Sequence, residues 1–541
     1  MKVRDLVRAG CALMALLCLL FLYLPSSTAQ EVSAGMTGRI TDPTGAAVAG
    51  AAVTARDVNR GTVWPTTTND EGIFAFPRVP TGTYQVRIEA KGFKTLVRPG
   101  IVLELNQRAR LDLTLELGAV SESIEVTDAA PLLNTETTIV GAVLTANTVT
   151  NTPLIARNFV ALTLLAPGVT ATDPSSFNNG KRTAGGGRPY VNGNRAEANN
   201  FLLDGVDNNE PTNDRTAYLP NLDAIQEVKM ITNNASAEFG NFQGGVINVT
   251  LKSGTNDLHG SAFEFFRNEK LNANNWARNY NNNPRSPIRW NEYGGTLGGP
   301  VKRDKIFFFG DYQGIRQAVP PAISTMSVIP TEYRTGDFSR LSSEVGIKLY
   351  DPLTLDSSGI KTPFANNQIP TSRRNIVATN LFNKTDLYPQ PTNSALRYNM
   401  VNAAGSQILS DQFDVKTDAK LTDKDDFSVR YSWGRQELPT SNSFPLTFDS
   451  YTHNPFQNGV VNWTRTISPS MVNEARVGVN RITLWAGSTD KGLGNVAEQL
   501  GITNGNERGP GLMMLQISGG YASSIGSGQI GTQQKSVNNI F

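Results

Sequence analysis

The chain has 541 residues, with 49 Lys and Arg against 47 Asp and Glu, and with only two His and two Cys. This near balance of charge provides no basic field for nucleic acid, which excludes nucleic acid as a partner. Cys11 and Cys18 both lie near the N-terminus, so the rest of the chain has no disulfide and no thiolate metal site.

The first 29 residues predict a signal peptide. Lys2, Arg4 and Arg8 form a positive n-region, residues 11–24 are wholly apolar, and small residues follow. A membrane anchor is the alternative, but the apolar run is shorter than the roughly 20 residues that a spanning helix needs. We therefore expect residues 1–29 to be removed on export.

Residues 31–117 have the pattern of a β-sandwich, with short strands separated by turn sequences. The predicted strands are 37–41, 52–57, 73–76 and 84–90, followed by an alternating run from Leu111 to Leu117. The sequences G-R-I-T-D-P-T-G-A-A-V-A-G-A-A-V (38–53) and P-T-G-T-Y-Q-V-R-I-E-A-K-G-F (80–93) resemble the carboxypeptidase regulatory-like domain. That resemblance implies an Ig/transthyretin-like sandwich without catalytic residues.

Residues 118–131 are predicted to be a linker that contains one exposed strand, with a β-prone centre and acidic flanks. The segment is similar to the TonB box, which pairs with a TonB-type energy-transducing protein by strand addition. A plain interdomain linker with one strand remains the alternative. The box-like residues are Glu122, Ser123, Ile124, Glu125, Val126, Thr127 and Asp128.

Residues 132–252 resemble the plug domain of TonB-dependent receptors. The resemblance depends on G-G-G-R-P-Y-V-N-G-N-R-A-E-A-N-N-F-L-L-D-G-V-D-N-N-E (185–210) and on I-Q-E-V-K-M-I-T-N-N-A-S-A-E-F-G-N-F-Q-G-G-V-I-N-V-T-L-K-S-G-T-N (225–256). Strands are predicted at 201–203, 225–231 and 246–251. The plug-motif residues are Asn192, Gly193, Arg195, Asn200, Asp204 and Gly205. An apex at 192–209 would contact the ligand.

From residue 253 onward the chain alternates apolar and polar residues, as in Phe413, Val415 and Thr417 against Asp414 and Lys416. Seven strands are predicted: 259–267, 290–298, 306–316, 411–421, 427–436, 458–467 and 471–483. Their connections are alternately long and short, which favours an outer-membrane barrel over a soluble sandwich. Lys416, Lys420 and Arg430 would face the lumen and balance Asp414 and Asp418.

The strand count also predicts an incomplete barrel. With about seven strands in 253–541, the chain would end outside the cell, whereas single-chain bacterial barrels have an even number of strands. Plugged transporters have about 22 strands, and residues 535–541 lack the alternation of a final strand. We therefore expect a fragment or a truncated product that is not competent for transport alone.

Motifs of catalysis and cofactor binding are missing from the sequence. There is no P-loop and no H-E-x-x-H, and the only histidines are His259 and His453. Asp204, Asp207 and Glu210 could ligate calcium, but a turn inside the plug is the plainer explanation because their spacing fits no known calcium loop. We expect no enzyme activity, no cofactor and no metal.

Taken together, residues 31–483 resemble an Oar-like TonB-dependent receptor. The predicted fold class is all-β: a sandwich, an α+β plug, then an incomplete antiparallel outer-membrane barrel. The resemblance implies an outer-membrane location with the N-terminal domain in the periplasm. The implied partners are a TonB-type protein, outer-membrane lipid, and a scarce solute, glycan or peptide taken up when the box is pulled and the plug loosens. A surface adhesion or matrix protein, or a secreted all-β protein, is the alternative.

Overall fold

The structure, a computed structural model, describes residues 33–120, 123–125, 138–210, 212, 215–240, 242–441, 450–488, 493–507, 509–517, 520, 522–526 and 533–540. The expected signal peptide and four box-like residues, Glu122, Val126, Thr127 and Asp128, lie outside these ranges. Within them, no helix combines the length and apolar character that crossing a membrane requires.

The N-terminal domain is a β-sandwich. Its strands are β1 Ala34–Thr41, β2 Ala52–Asp57, β3 Val63–Thr67, β4 Ile73–Val79, β5 Gly82–Glu89, β6 Thr95–Leu103, β7 Arg108–Arg110, β8 Leu113–Thr114 and β9 Ser123–Glu125. One sheet has the order β4-β1-β7, with β8 also on β1, and the other has the order β3-β2-β5-β6-β9. Their inner faces share a core that includes Ile40, Phe74 and Val86, because alternate residues of each strand point inward.

The four predicted strands of this domain are present, but the alternating run at its end is mostly not strand. The one regular strand in this run is Leu113–Thr114, which pairs with Ile40 and Thr41 of β1. Leu111 and Leu115 are buried, whereas Leu117 is 68% exposed. The rest of the run stays against the sandwich through single contacts: the N–H groups of Leu111 and Leu115 donate to Thr37 O and Thr41 O of β1, and Leu117 forms an isolated bridge with Phe93.

The central domain comprises residues 138–252. Its elements are β10 Val140–Thr145, α1 Ala146–Asn151, β11 Val169–Thr170, β12 Thr183–Gly185, β13 Tyr190–Val191, β14 Asn200–Leu203, β15 Val206–Asp207, β16 Asn209–Glu210, β17 Arg215–Tyr218, β18 Ile225–Asn233 and β19 Val246–Leu251, with 3-10 turns at Phe159–Leu165, Pro174–Asn178, Ala196–Ala198 and Leu222–Ala224. The main sheet has the order β10-β18-β19-β14-β15. The structure places strands at all three predicted segments, and β19 is buried along its whole length.

The C-terminal half forms an eight-stranded sheet of consecutive antiparallel strands, the barrel sheet. Its strands are β20 His259–Asn268, β21 Arg289–Lys302, β22 Ile306–Met326, β23 Met400–Lys420, β24 Asp425–Ser441, β25 Ser450–Ser468, β26 Met471–Ser488 and β27 Gln533–Ile540. Short helices lie in its connections: α2 Trp276–Tyr280, α3 Thr331–Arg334, α4 Ser339–Val345, α5 Ile376–Asn383 and α6 Val496–Gln499, with 3-10 turns at Glu269–Leu271, Ala365–Asn367 and Thr371–Arg373.

The two faces of the barrel sheet differ in chemistry, as the alternation predicts. On the outer face, Val415 lies beside Tyr431 and Val461 beside Val477. Each of these four side chains is exposed by 41% or more. The inner face carries polar residues such as Gln412 that are buried against the central domain. A sheet with an exposed apolar face and a wet inner face is suited to lipid on the outside.

The structure corrects the strand count from about seven to eight. β27 pairs antiparallel with β26, from Val479 opposite Ile540 to Ala486 opposite Gln533. The sequence analysis missed this strand because its residues, Gln-Gln-Lys-Ser-Val-Asn-Asn-Ile, are mostly polar on both faces. The two strands are joined by backbone hydrogen bonds at the edge of β26, and such bonds cannot be recognised from a pattern of side chains. In the described residues β20 and β27 are the two edges, so the sheet does not close.

The long connections gather at one end of the barrel sheet and the short ones at the other. Short turns at 303–305, 421–424 and 469–470 join neighbouring strands. At the opposite end, parts of the connections 327–399 and 489–532 fold together around a shared apolar cluster that includes Leu381, Leu500 and Leu512. The alternation of short and long connections is that of outer-membrane barrels.

Candidate functional site at the inner face of the barrel sheet

The central domain packs against the inner face of the barrel sheet. Phe309, Phe456 and Ile482 of the sheet belong to the same apolar core as the central domain. The ring of Tyr218 stacks on Phe456, with centroids 4.6 Å apart and planes 8° from parallel. The two units therefore share a packed core rather than a loose contact.

A buried ionic group at one end of this contact, the Asp204 cluster, joins the central domain to β23 and β24. Asp204 Oδ1 lies 3.3 Å from Lys416 Nζ, and Asp204 Oδ2 lies 2.8 Å from Arg430 Nε. Lys416 also donates to Leu251 O at 3.0 Å, and Arg430 donates to Leu203 O at 3.1 Å. The ends of β14 and β19 are thus held by cations of the barrel sheet.

The local sequence explains why Asp204 reaches these cations. Strand β14 turns back into β15 through Asp204 and Gly205, whose φ angles are +47° and +75°. Asp and Gly tolerate this left-handed conformation, which matches a tight hairpin turn. The backbone N–H of Leu251 donates to Asp204 Oδ1 at 3.2 Å, which fixes the carboxylate between strand and sheet.

A second polar contact lies beside the first. The hydroxyl of Tyr218 donates to Asp414 Oδ2 at 2.9 Å, and Ser432 donates to the other oxygen of the same carboxylate. Burial and the neighbouring Asp414 carboxylate raise the pKa of Tyr218 well above its ordinary value. The phenol therefore stays protonated and remains a donor to the barrel sheet.

A further ionic group, the Glu292 cluster, lies close to the end of the sheet that bears the long connections. Glu292 on β21 accepts from Arg182 at 2.7 Å and from Gln313 at 2.6 Å, and Arg157 Nε is 3.2 Å away. Arg157 also forms an ion pair with Asp223 of its own domain. Burial lowers the pKa of Arg182, while the Glu292 carboxylate opposes that shift.

The plug-motif residues separate into two groups in the structure. Asp204 and Gly205 lie in the contact with the barrel sheet. Asn192, Gly193 and Arg195 are exposed at a turn of the central domain, where Asn192 Nδ2 donates to Thr232 O at 2.9 Å.

Asn200 belongs to neither group and is buried inside the central domain. Its side chain donates to Gly240 O at 2.8 Å and accepts from Asn209 Nδ2 at 2.8 Å. Its contacts are therefore internal to the domain, which indicates a structural role in holding β14 in place.

The inward orientation of Lys416 and Arg430 was expected, but their ion-pair partner was not. Lys416 and Arg430 face inward, as the alternation predicted, but their ion-pair partner is Asp204 rather than Asp414 or Asp418. Lys420 pairs with Asp426 at 3.2 Å. We expected these cations to pair with acidic residues of the barrel sheet. The sequence alone does not show that the turn at Asp204 of the central domain lies beside these strands. A charged residue at an inward position of a strand was the available signal for a contact with the central domain, and Glu292 is another residue of this kind.

Metal binding finds no support in this part of the molecule. Among the described residues, no group of His, Cys, Asp and Glu side chains is arranged to hold a metal ion. The calcium interpretation of Asp204, Asp207 and Glu210 required a free carboxylate at Asp204, and that carboxylate is paired with two cations.

The sandwich contacts the barrel sheet at the end with short turns. Trp64 Nε1 donates to Asp426 Oδ2 at 3.1 Å, and the Lys420 ammonium lies 4.4 Å from the centre of the Trp64 ring. Asn256 Nδ2 donates to Arg60 O at 2.8 Å. These contacts come from β3 and from the turn before it, whereas β9 is the opposite edge of the same sheet and has no strand beyond it in the described residues.

The described box-like residues lie on that edge. Ser123, Ile124 and Glu125 form β9 and pair in parallel with residues 95–97 of β6. Ser123 and Glu125 are exposed and Ile124 is half-buried.

These features define a class of protein: an outer-membrane β-barrel protein in which the central domain covers the inner face of the barrel sheet. Residues 250–541 match the family of the outer membrane beta barrel domain, and residues 35–116 match the carboxypeptidase regulatory-like domain. The chain belongs to the outer membrane beta barrel domain family. This result confirms the fold class and the location in the outer membrane.

Among the known proteins to which the chain is similar are a transporter of related sequence and two outer-membrane proteins of solved structure. Over 267 residues the chain is 28% identical to the TonB-dependent transporter Oar of Myxococcus xanthus, a match that covers 45% of this chain and 23% of that protein. The outer membrane transporter YddB of Escherichia coli has a TM-score of 0.42 at 12% identity, over 65% of this chain and 40% of that one. The siderophore receptor PirA of Acinetobacter baumannii has a TM-score of 0.32 at 13% identity, over 64% and 45%. The chain thus spans less than half of each of these proteins.

Proposed function

We propose that the protein is a TonB-dependent outer-membrane transporter in which the central domain is the plug. The observation that carries the proposal is the pair of buried ionic groups, the Asp204 and Glu292 clusters, that fix the central domain to the inner face of the barrel sheet. The similarity to the transporter Oar supports it. A domain in this position blocks passage, so any solute can pass only after it moves.

The chemistry of the contact suits a plug that must move and return. Ion pairs and hydrogen bonds can exchange partners with water when the contact opens, and they re-form in one register when it closes. Burying these charges costs solvation energy, which limits how much the ion pairs of the Asp204 and Glu292 clusters stabilise the closed state. The contact is therefore specific without being permanent.

The order of strands suggests where a pull would act first. The box-like segment precedes β10, and β10 is the edge strand of the central sheet, paired only with β18 in the described structure. Within the central domain, a force on residues 122–128 would reach β10 before any other strand and peel it from β18. The disturbance would then pass through β19 and β14 to Asp204, which loosens the plug.

In this proposal the sandwich lies in the periplasm, the outer face of the barrel sheet contacts outer-membrane lipid, and a TonB-type protein supplies the energy. The ligand is a scarce small solute, a glycan or a peptide. The protein has no enzymatic role. An adhesion or matrix protein would require neither a plug nor a partner that pulls on the box.

Binding of the energy-transducing partner tests the proposal. We expect the full chain in detergent to bind the periplasmic C-terminal domain of the cell's TonB-type protein with 1:1 stoichiometry in calorimetry. Ile124→Pro removes a backbone donor from β9 and should weaken this binding at least tenfold. Leu355→Pro, in an exposed connection at the other end, is the matched control and should bind normally. Absence of binding, or equal binding by Ile124→Pro, would contradict the proposal.

A further inference from the structure

We propose that the TonB-type partner adds its strand to the outer edge of β9 while β9 stays paired with β6. The sandwich, the box-like segment and the partner would then form one continuous sheet. This inference rests on the proposed function and goes beyond it, because it assigns the sandwich the role of presenting the box. It starts from the observed sheet order β3-β2-β5-β6-β9, in which β9 is the last strand.

Specific contacts place the chain on the edge of β6. The pairing is in register, with Leu96 opposite Ile124 and Val97 opposite Glu125. Just before β9, the buried hydroxyl of Thr95 donates to Val120 O at 2.8 Å. These contacts guide the chain along β6 as it leaves the sandwich.

The other edge of β9 is suited to accept a strand. In the described part of the chain no strand pairs with it, and Ser123 and Glu125 are exposed. An edge strand presents a row of backbone N–H and C=O groups that can pair with an extended segment. Of the extended segments available, the one that the box-like sequence implies is that of the TonB-type partner.

Pairing with β6 also lowers the entropic barrier to binding. A short free segment must lose backbone freedom before it can pair, and that loss opposes binding. β6 has already ordered residues 123–125 in an extended conformation. Preorganisation of this kind increases affinity without any new contact to the partner. The sandwich should therefore strengthen binding of the partner rather than compete with it.

The competing mechanism is displacement, in which the partner takes β9 away from β6. A covalent lock separates the two. Val97→Cys/Glu125→Cys places two cysteines at paired positions on neighbouring strands, which lie close enough for a disulfide. Cys11 and Cys18 lie in the expected signal peptide, so the mature chain has no other thiol.

We expect the oxidised double variant to bind the TonB-type C-terminal domain at least as tightly as the reduced form of the same protein. A tenfold or larger loss on oxidation that reductant reverses would establish displacement and overturn the inference, while leaving the proposed function intact. Failure of the unmodified chain to bind the domain would instead refute the proposed function.

Thr95→Val provides an independent test that leaves the box-like sequence unchanged. It removes the hydrogen bond to Val120 with almost no change of shape. If β6 presents the box, binding should weaken about threefold to tenfold. Tighter or unchanged binding would overturn the inference.

Discussion

Asp204 shows how one side chain can join two domains. Its carboxylate forms ion pairs with Lys416 and Arg430, which lie on two neighbouring strands of the barrel sheet. It also accepts a hydrogen bond from the N–H of Leu251 in its own domain. Arg430 is 1% exposed, so its charge has no solvent to replace a lost partner. The energetic consequence of removing the carboxylate should therefore be larger than for an ion pair at the surface.

We predict that Asp204→Asn destabilises the folded chain by about 3–5 kcal/mol, because it leaves two buried cations without their counter-charge. The measurement is urea unfolding in detergent, followed by tryptophan fluorescence. Glu197→Gln, which breaks the surface pair with Arg188, is the matched control and should cost less than about 1 kcal/mol. Equal effects of the two substitutions would show that the Asp204 cluster does not hold the domains together.

At the scale of elements, strand β18 of the central domain also contacts the sandwich. Lys229 Nζ donates to Leu105 O at 2.7 Å, and Glu227 lies beside the same residue. Burial raises the pKa of Glu227 to about 7, and the neighbouring Glu104 carboxylate adds to this rise. The hydrogen bond from the Leu105 N–H and the charge of Lys229 oppose this rise, but burial outweighs them and favours the neutral acid.

This shift predicts a pH dependence of stability. The pKa of Glu227 is higher in the folded than in the unfolded chain, so folding is most favourable when this group is protonated, below about pH 4.5. As the pH rises from there to about 7, the free energy of unfolding should fall by about 3 kcal/mol. Thermal unfolding between pH 4 and pH 8 measures it. Glu227→Gln should flatten this part of the profile, whereas Glu71→Gln, at an exposed turn, should not. A profile that is unchanged in Glu227→Gln would contradict the assignment.

Much of the fold follows from strand patterns in the sequence, and the exceptions have physical reasons. Strands with one apolar face, such as β23, were predicted because lipid selects for that alternation. β27 was not, since its residues carry no such pattern. The cluster of Leu381 with Leu500 joins connections that are distant in sequence, and the partner of Asp204 lies in another domain. Contacts of this kind depend on the tertiary fold, which local patterns do not encode.

At the scale of the whole molecule, three units follow one another along the chain and have different surroundings. The sandwich contacts the end of the barrel sheet with short turns, the central domain covers the inner face, and the outer face is apolar and exposed. An exposed apolar face of this kind is favourable only if hydrocarbon covers it, because contact of Val461 and Trp463 with water would be unfavourable. The account therefore depends on where the lipid lies.

Nitroxide accessibility along β25 tests that claim most directly. Single labels at 461 to 464 in proteoliposomes would be exposed in turn to oxygen, which concentrates in lipid, and to a water-soluble nickel complex. We predict that labels at Val461 and Trp463 respond to oxygen and that labels at Asn462 and Thr464, which face inward, do not. A stronger response to the nickel complex at Val461 and Trp463 would contradict the membrane assignment and, with it, the proposed transport.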